Sequence, residues 1–234
     1  NLAEMEGGTE IERTAAVKAL VIQAQTDDKW ADPIITSFLR VLPDQLASPQ
    51  EAIIDGLLEL RKVKVSREEE IFESIQETLD SPYPSVRSKV VDIWTRFSLK
   101  SDAKTSDTIA VLFEMLSDDD KDVRYQTQES LSKILHTVPK VALPELKNAI
   151  GDDDWRVTYH SIVLLTEFAK KYPNPSVALA PEVIEAFNSG ERLKERAADC
   201  IGMLGLANPE AVKPAVPGLI KGLESKSSEL RKAC

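Results

Sequence analysis

The chain has 234 residues and carries 29 Lys and Arg against 39 Asp and Glu, a formal charge of −10. Such a field repels polyphosphate and attracts cationic segments, so nucleic acid is disfavoured as a partner and a basic protein segment is favoured. With 42% hydrophobic and 6% aromatic residues, no apolar run of about 18 residues and no charged-then-apolar amino-terminal segment, the composition predicts a core of Leu, Ile, Val and Ala between close helices, no membrane partner and a cytoplasmic location.

Apolar residues at helical spacing predict, in chain order, helices over 12–25, 31–42, 48–62, 67–79, 85–99, 106–116, 122–136, 141–150, 155–171, 181–188, 192–206, 215–223 and 228–234. Ser48-Pro49 reads as a cap and first turn. Asp80-Ser81-Pro82-Tyr83-Pro84 reads as a proline-stiffened turn, and Lys171-Tyr172-Pro173-Asn174-Pro175 as the longest joint, where any bend is expected. The chain starts and stops inside a helix pair, which predicts a fragment of a longer protein.

Self-comparison places equivalent residues at Glu12, Pro49, Val86, Val123, Val157, Leu193 and Leu230, a period inside the range of repeat architectures. Counting these as position 1, position 2 reads Arg13, Gln50, Arg87, Arg124, Thr158, Lys194 and Arg231. Positions 5, 9 and 12 are mostly apolar, as in Ile53, Leu57 and Leu60 or Ala197, Ile201 and Leu204. A second pattern precedes each signature, with Phe38/Leu42, Ile75/Leu79, Leu112/Leu116, Leu146/Ile150, Val183/Phe187 and Leu219/Leu223 in matching columns. Each unit is therefore a helix A, a short turn and a helix B, and neither helix can bury its stripe alone. Pro144, Pro181 and Pro217 share a column placed in the first turn of helix A, where a missing N–H costs nothing.

The segments AVLFEMLSDDDKDVRYQTQESLSKIL (110–135) and LPELKNAIGDDDWRVTYHSIVLLTEFA (143–169), closed by LKERAADCIGMLG (193–205), resemble HEAT repeats, most nearly those with VRxxAAxALGxLG in helix B. The resemblance implies an all-α fold, a right-handed α-α superhelix (HEAT-repeat solenoid) of about six to seven two-helix repeats in a single array over 1–234. The expected parts are a partial repeat 1–26, repeats 28–63, 66–100, 104–138, 141–172 and 178–206, and a partial repeat 211–234. This scaffold serves many tasks, so function must come from the residues.

Catalytic and metal signals are weak. Asp118, Asp120, Asp122 and Glu129 match four positions of a calcium loop, but Val123 stands where that loop requires glycine, and helix capping accounts for the acids. His136 and His160 have no second ligand at zinc spacing. No nucleophile elbow or P-loop is present, and the His-Glu steps of iron hydroxylases on this scaffold are missing. No enzyme activity, metal or cofactor is expected. Cys200 and Cys234 fall on inward columns and read as buried free thiols, and the position-2 arginines read as a structural ladder to turn acids and carbonyls.

The helix-B positions opposite the core carry the binding signal. Position 7 reads Lys18, Asp55, Asp92, Glu129, Val163 and Asp199, and position 3 adds Glu51, Tyr125, Tyr159 and Glu195. In HEAT proteins this face typically lines the concave side, so the resemblance implies a groove for a basic, extended protein partner. Its expected residues are Asp55, Asp92, Tyr125, Glu129, Tyr159 and Asp199, with the tyrosines as amphipathic anchors. Two further readings come from resemblance alone: a bilin-lyase-like tetrapyrrole chaperone or enzyme, and a tubulin-binding TOG-like array. The mostly acidic turns, with Trp155 the exception, count against the latter. HEAT-like DNA glycosylases depend on a basic face, which the net charge disfavours.

Overall fold

The computed structural model describes residues 7–99 and 105–234, and all regular structure among them is helical. The expected repeat limits at residues 1, 100 and 104 lie outside them. The helices gather into two compact units, Asn1–Val90 and Val91–Cys234.

In the first unit α1 (Glu10–Thr26) is a helix B, followed by the pair α2 (Ala31–Val41) and α3 (Ala47–Leu60), by α4 (Glu68–Glu77) and by the start of α5 (Pro84–Ser98). A capping box opens α1: the Thr9 N–H donates to Glu12 Oε2 at 2.8 Å, and Thr9 Oγ1 accepts from the Glu12 N–H at 3.4 Å. These bonds hold the Glu12 carboxyl below its usual range, and they explain why Glu12 is exposed where the later repeats bury an apolar residue. The core joins Val17, Leu20 and Ala24 of α1 to Ile34, Ile35 and Phe38 of α2, with Ile53, Ile54, Leu57 and Leu60 from α3 and Ile71 and Ile75 from α4. Position 8 of α3 is Gly56, and a Cβ there would lie 2.8 Å from Val21 Cγ2 and 2.9 Å from Phe38 Cε2. Only glycine admits this approach of α1 and α2 to α3.

The second unit holds the rest of α5, then α6 (Thr105–Glu114), α7 (Lys121–Thr137), α8 (Pro139–Ile150), α9 (Trp155–Lys171), α10 (Pro173–Ser176), α11 (Ala180–Ser189), α12 (Glu191–Ala207), α13 (Pro209–Val212), α14 (Val216–Gly222) and α15 (Ser228–Ala233). Asp120 caps α7 by accepting from the N–H groups of Asp122 and Val123, and Asp154 caps α9 by accepting from that of Arg156. The turn acids thus act on the positive ends of helices. The expected inward columns are buried through Val123, Leu131 and Ile134 of α7, Val157, Leu165 and Phe168 of α9, and Leu193, Ala197, Ile201 and Leu204 of α12. The position-12 residues Gln23 and Phe97 are only half-buried. Cys200 is fully buried, which pushes its thiol up to about 12, whereas Cys234, at the end of α15, is half-buried.

Several local expectations need correction. Ser48 is not a cap: α3 begins at Ala47 after Leu46, which makes no side-chain cap, and the Ser48 N–H donates instead to Glu10 Oε1 at 3.4 Å. Pro144 is not in a first turn, because Pro139 starts α8 earlier and the helix runs through Pro144, whose ring is exposed. Pro181 and Pro217 do stand in first turns. After α9 ends at Lys171, the Pro-rich joint forms the short helix α10 rather than irregular chain. Four of the A helices (α2, α4, α6 and α14) are shorter than their expected ranges, whereas α11 is longer than its own. Of these, α2, α4 and α6 tighten into 3₁₀ turns at Leu42–Asp44, Thr78–Asp80 and Met115–Ser117, a frequent ending where the last carbonyls lack partners.

Position 2 has one job in nearly every unit. Arg87 donates to the Ser81 carbonyl at 2.6 Å, Arg124 to those of Asp118 and Asp119 at 2.5 and 3.0 Å, and Arg231 to those of Ser225 and Lys226 at 2.6 and 3.0 Å. Thr158 does the same to Asp152 at 3.0 Å, and Gln50 to Leu42 at 3.1 Å. The ladder expected from the arginines is therefore a staple on the carbonyls of each unit's own turn, which Thr and Gln can also supply. Lys194 departs from it and pairs with Glu191. Arg156, just ahead of position 1, links turns of neighbouring units through Asp154 at 2.8 Å and Asp119 at 3.1 Å.

Candidate functional site

The six expected partner-binding residues all lie on B helices. In the first unit Asp55 of α3 is exposed, and its Oδ2 accepts from Lys89 Nζ at 2.7 Å. In the second unit Asp92 pairs with Arg96 at 2.9 Å and Asp199 with Arg196 at 3.7 Å. Exposed ion pairs of this kind contribute little stability, but they offset the charge. The position-7 row is accordingly one of paired acids rather than of bare ones, apart from Glu129.

Tyr125 and Glu129, one helical turn apart on α7, share a face. Tyr125 is 66% exposed and Glu129 is exposed. Tyr159, its counterpart on α9, is instead half-buried: its hydroxyl accepts from Arg196 Nε at 3.0 Å, and its ring meets His160 edge-on at 5.3 Å and Trp155 at 6.4 Å. The Arg192 guanidinium lies 4.9 Å from the Trp155 ring centre, and that of Arg196 5.8 Å from the Tyr159 ring. Aromatic and arginine side chains of this kind dominate the energetics of protein interfaces, and stacking holds the guanidinium planes in place.

Arg192, Arg196 and His160 were not among the expected residues. A signal for two of them exists at position 4 of helix B, which reads Lys89, Gln126, His160 and Arg196 in successive units. Three of these reach back to the exposed face of the preceding B helix: Lys89 to Asp55, His160 Nδ1 to Gln128 Oε1 at 2.7 Å, and Arg196 to Tyr159.

The His160 contact carries a pH dependence. Burial and the neighbouring Arg124 charge lower the His160 pKa below 6.5, so the folded state binds fewer protons there than the unfolded chain. Stability then falls as pH drops through the unfolded value and is regained above it. Chemical denaturation at about pH 7.5 and about pH 5.5 should show a larger acid loss for the native chain than for His160→Gln. Equal losses in the two proteins would remove this residue from the acid response.

The fold matches that of α-solenoids built from two-helix repeats. The family model described as HEAT repeats matches residues 72–166. No curated protein matches. Among solved structures, Kap121p bound to Nup53p is similar with a TM-score of 0.67 and 16% identity over 99% of this chain and 28% of that one. The karyopherin Kap121p bound to the extreme C-terminus of the protein phosphatase Cdc14p gives 0.68 and 16%, with the same coverage. Kap95p in a structure with RanGDP gives 0.59 and 16% over 97% of this chain and 33% of that one. The chain thus spans about a third or less of these three chains, and at these identities the likeness is one of fold. Among the described residues no helix is long and apolar enough to cross a membrane.

Proposed function

We propose that the chain is a segment of a non-catalytic scaffold that holds another protein on the exposed faces of its B helices, and that the bound segment is basic and extended. The observation that carries this reading is the pair Tyr125 and Glu129: a large amphipathic ring at 66% exposure beside an exposed carboxylate on one helical face. A tyrosine supplies contact area at low entropic cost, and the acid supplies sign selection. The similar structures, in which Kap121p is bound to Nup53p or to the Cdc14p C-terminus, favour a protein as the partner class.

A labelled Lys/Arg-rich peptide titrated against the chain tests this. Asp92→Lys together with Glu129→Lys should weaken binding about tenfold or more, and added salt should weaken the native complex as screening requires. Unchanged affinity in the double variant would sink the proposed face.

A further inference from the structure

The seams between successive B helices are not equivalent. Where position 4 is Lys89, His160 or Arg196, its side chain crosses back to the preceding B helix and covers the seam. In α3 position 4 is Ala52, whose methyl group has no polar end to bond back to α1. The seam between α1 and α3 stays open as a groove of about 550 Å³, with Val21, Ile22, Ala52 and Gly56 among its lining residues. Ile22 is 63% exposed, an apolar side chain facing water beside this space. The volume is within the range of pockets that enclose a ligand group, about 300–1,000 Å³.

The charged lining has a sign. Glu51, Asp55 and Glu59 stand on the α3 side and Lys18 alone on the α1 side. Ser85 takes one oxygen of Glu51 at 2.6 Å and Lys89 one oxygen of Asp55 at 2.7 Å. Glu51 Oε2 and Asp55 Oδ1, one helical turn apart, remain open to a cation.

We propose that this groove is a docking site for a partner-protein segment that presents a bulky apolar side chain flanked by Lys or Arg. The apolar group lies over Ala52 against Val21 and Ile22, covering the seam as position 4 does elsewhere. The flanking cation reaches Glu51 and Asp55. The site is in the first unit and is independent of Tyr125 and Glu129.

The test is fluorescence anisotropy with a short fluorescein-labelled peptide that carries Leu-Phe between Lys-Lys pairs, titrated with the full chain. Saturable binding is expected. It should weaken about tenfold when Ala52→Arg fills the groove, when Ile22→Ser removes its exposed apolar wall, and when Ser-Ser replaces Leu-Phe in the peptide. Ile22 is exposed enough for the second variant to fold, which keeps the test decisive if the first does not. Asp92→Lys with Glu129→Lys should leave the ratio of Leu-Phe to Ser-Ser peptide affinity within about twofold, separating the groove from the face proposed above. No saturable binding to the native chain, or equal binding of the Leu-Phe and Ser-Ser peptides, would overturn the proposal.

Discussion

Replacing Phe168 with Ala is expected to lower the unfolding free energy by about 3–5 kcal/mol, the largest single loss in the second unit. The side chain is 1% exposed and occupies position 12 of α9. Its ring meets Tyr172 at 4.8 Å and His136 at 5.8 Å. Truncation therefore removes both the transfer term and an aromatic cluster anchored on α7 and α9, and the fixed helix axes prevent the space from closing. In stacked repeats such a loss acts on the unit and its nearest neighbours. Urea denaturation followed by circular dichroism reads it as a lower midpoint, and a change under about 1 kcal/mol would show that the site relaxes.

A second large effect is expected at Gly56. Any Cβ there meets Val21 and Phe38 below 3 Å, and the Phe38 ring is fully buried and held by packing. Gly56→Val should destabilise by about 1–3 kcal/mol through overpacking, even though valine is intrinsically better than glycine in a helix. Gly202 provides the control. It is also inside a B helix, but exposed, and nothing lies within 4 Å of its would-be Cβ. Gly202→Ala should raise stability by about 0.5–1 kcal/mol. Thermal melts of the two variants should move in opposite directions; a shared direction would show that helix propensity, not close approach, governs both positions.

These two sites show which parts of the fold are legible in the sequence. Phe168 is readable because it recurs in a column, since the period of the repeat and the period of the helix together specify which residues face inward. Gly56 occupies the column that holds Cys200 in a later unit, so its inward position is legible. The reason for a glycine there is not, because that reason is the ring of Phe38 arriving from another helix. The same distinction separates Pro181 from Pro144: both share a column, but the helix start depends on Pro139, which only one unit has.

The candidate surface divides in the same manner. The exposure of Asp55, Asp92, Glu129 and Asp199 follows from helical rotation. The pairing of Asp55 does not, because Lys89 acts from the next B helix across a seam whose register the sequence leaves open. Asp92 with Arg96 and Asp199 with Arg196 instead pair within one helix, at spacings the sequence shows. Tyr125 and Tyr159 look alike in the alignment of repeats, yet Arg196 and Trp155 tie down only the second. Thr158 and Gln50 interrupt the arginine column in the sequence, whereas in the folded chain they bond the same turn carbonyls.

That shared bond makes the corners that have it self-sufficient. Where the position-2 side chain satisfies carbonyls of its own hairpin, the corner is held from within, and the Arg156 link to Asp119 is the exception that ties one turn to its neighbour. A single hairpin can then be lengthened, exchanged or copied along the chain with its elbow unchanged, and only the polar bridges at its two flanks need to be refitted. Duplication of such hairpins is thus a low-cost route to new lengths, and the flank residues, free of any duty at the elbow, are where a surface can diverge.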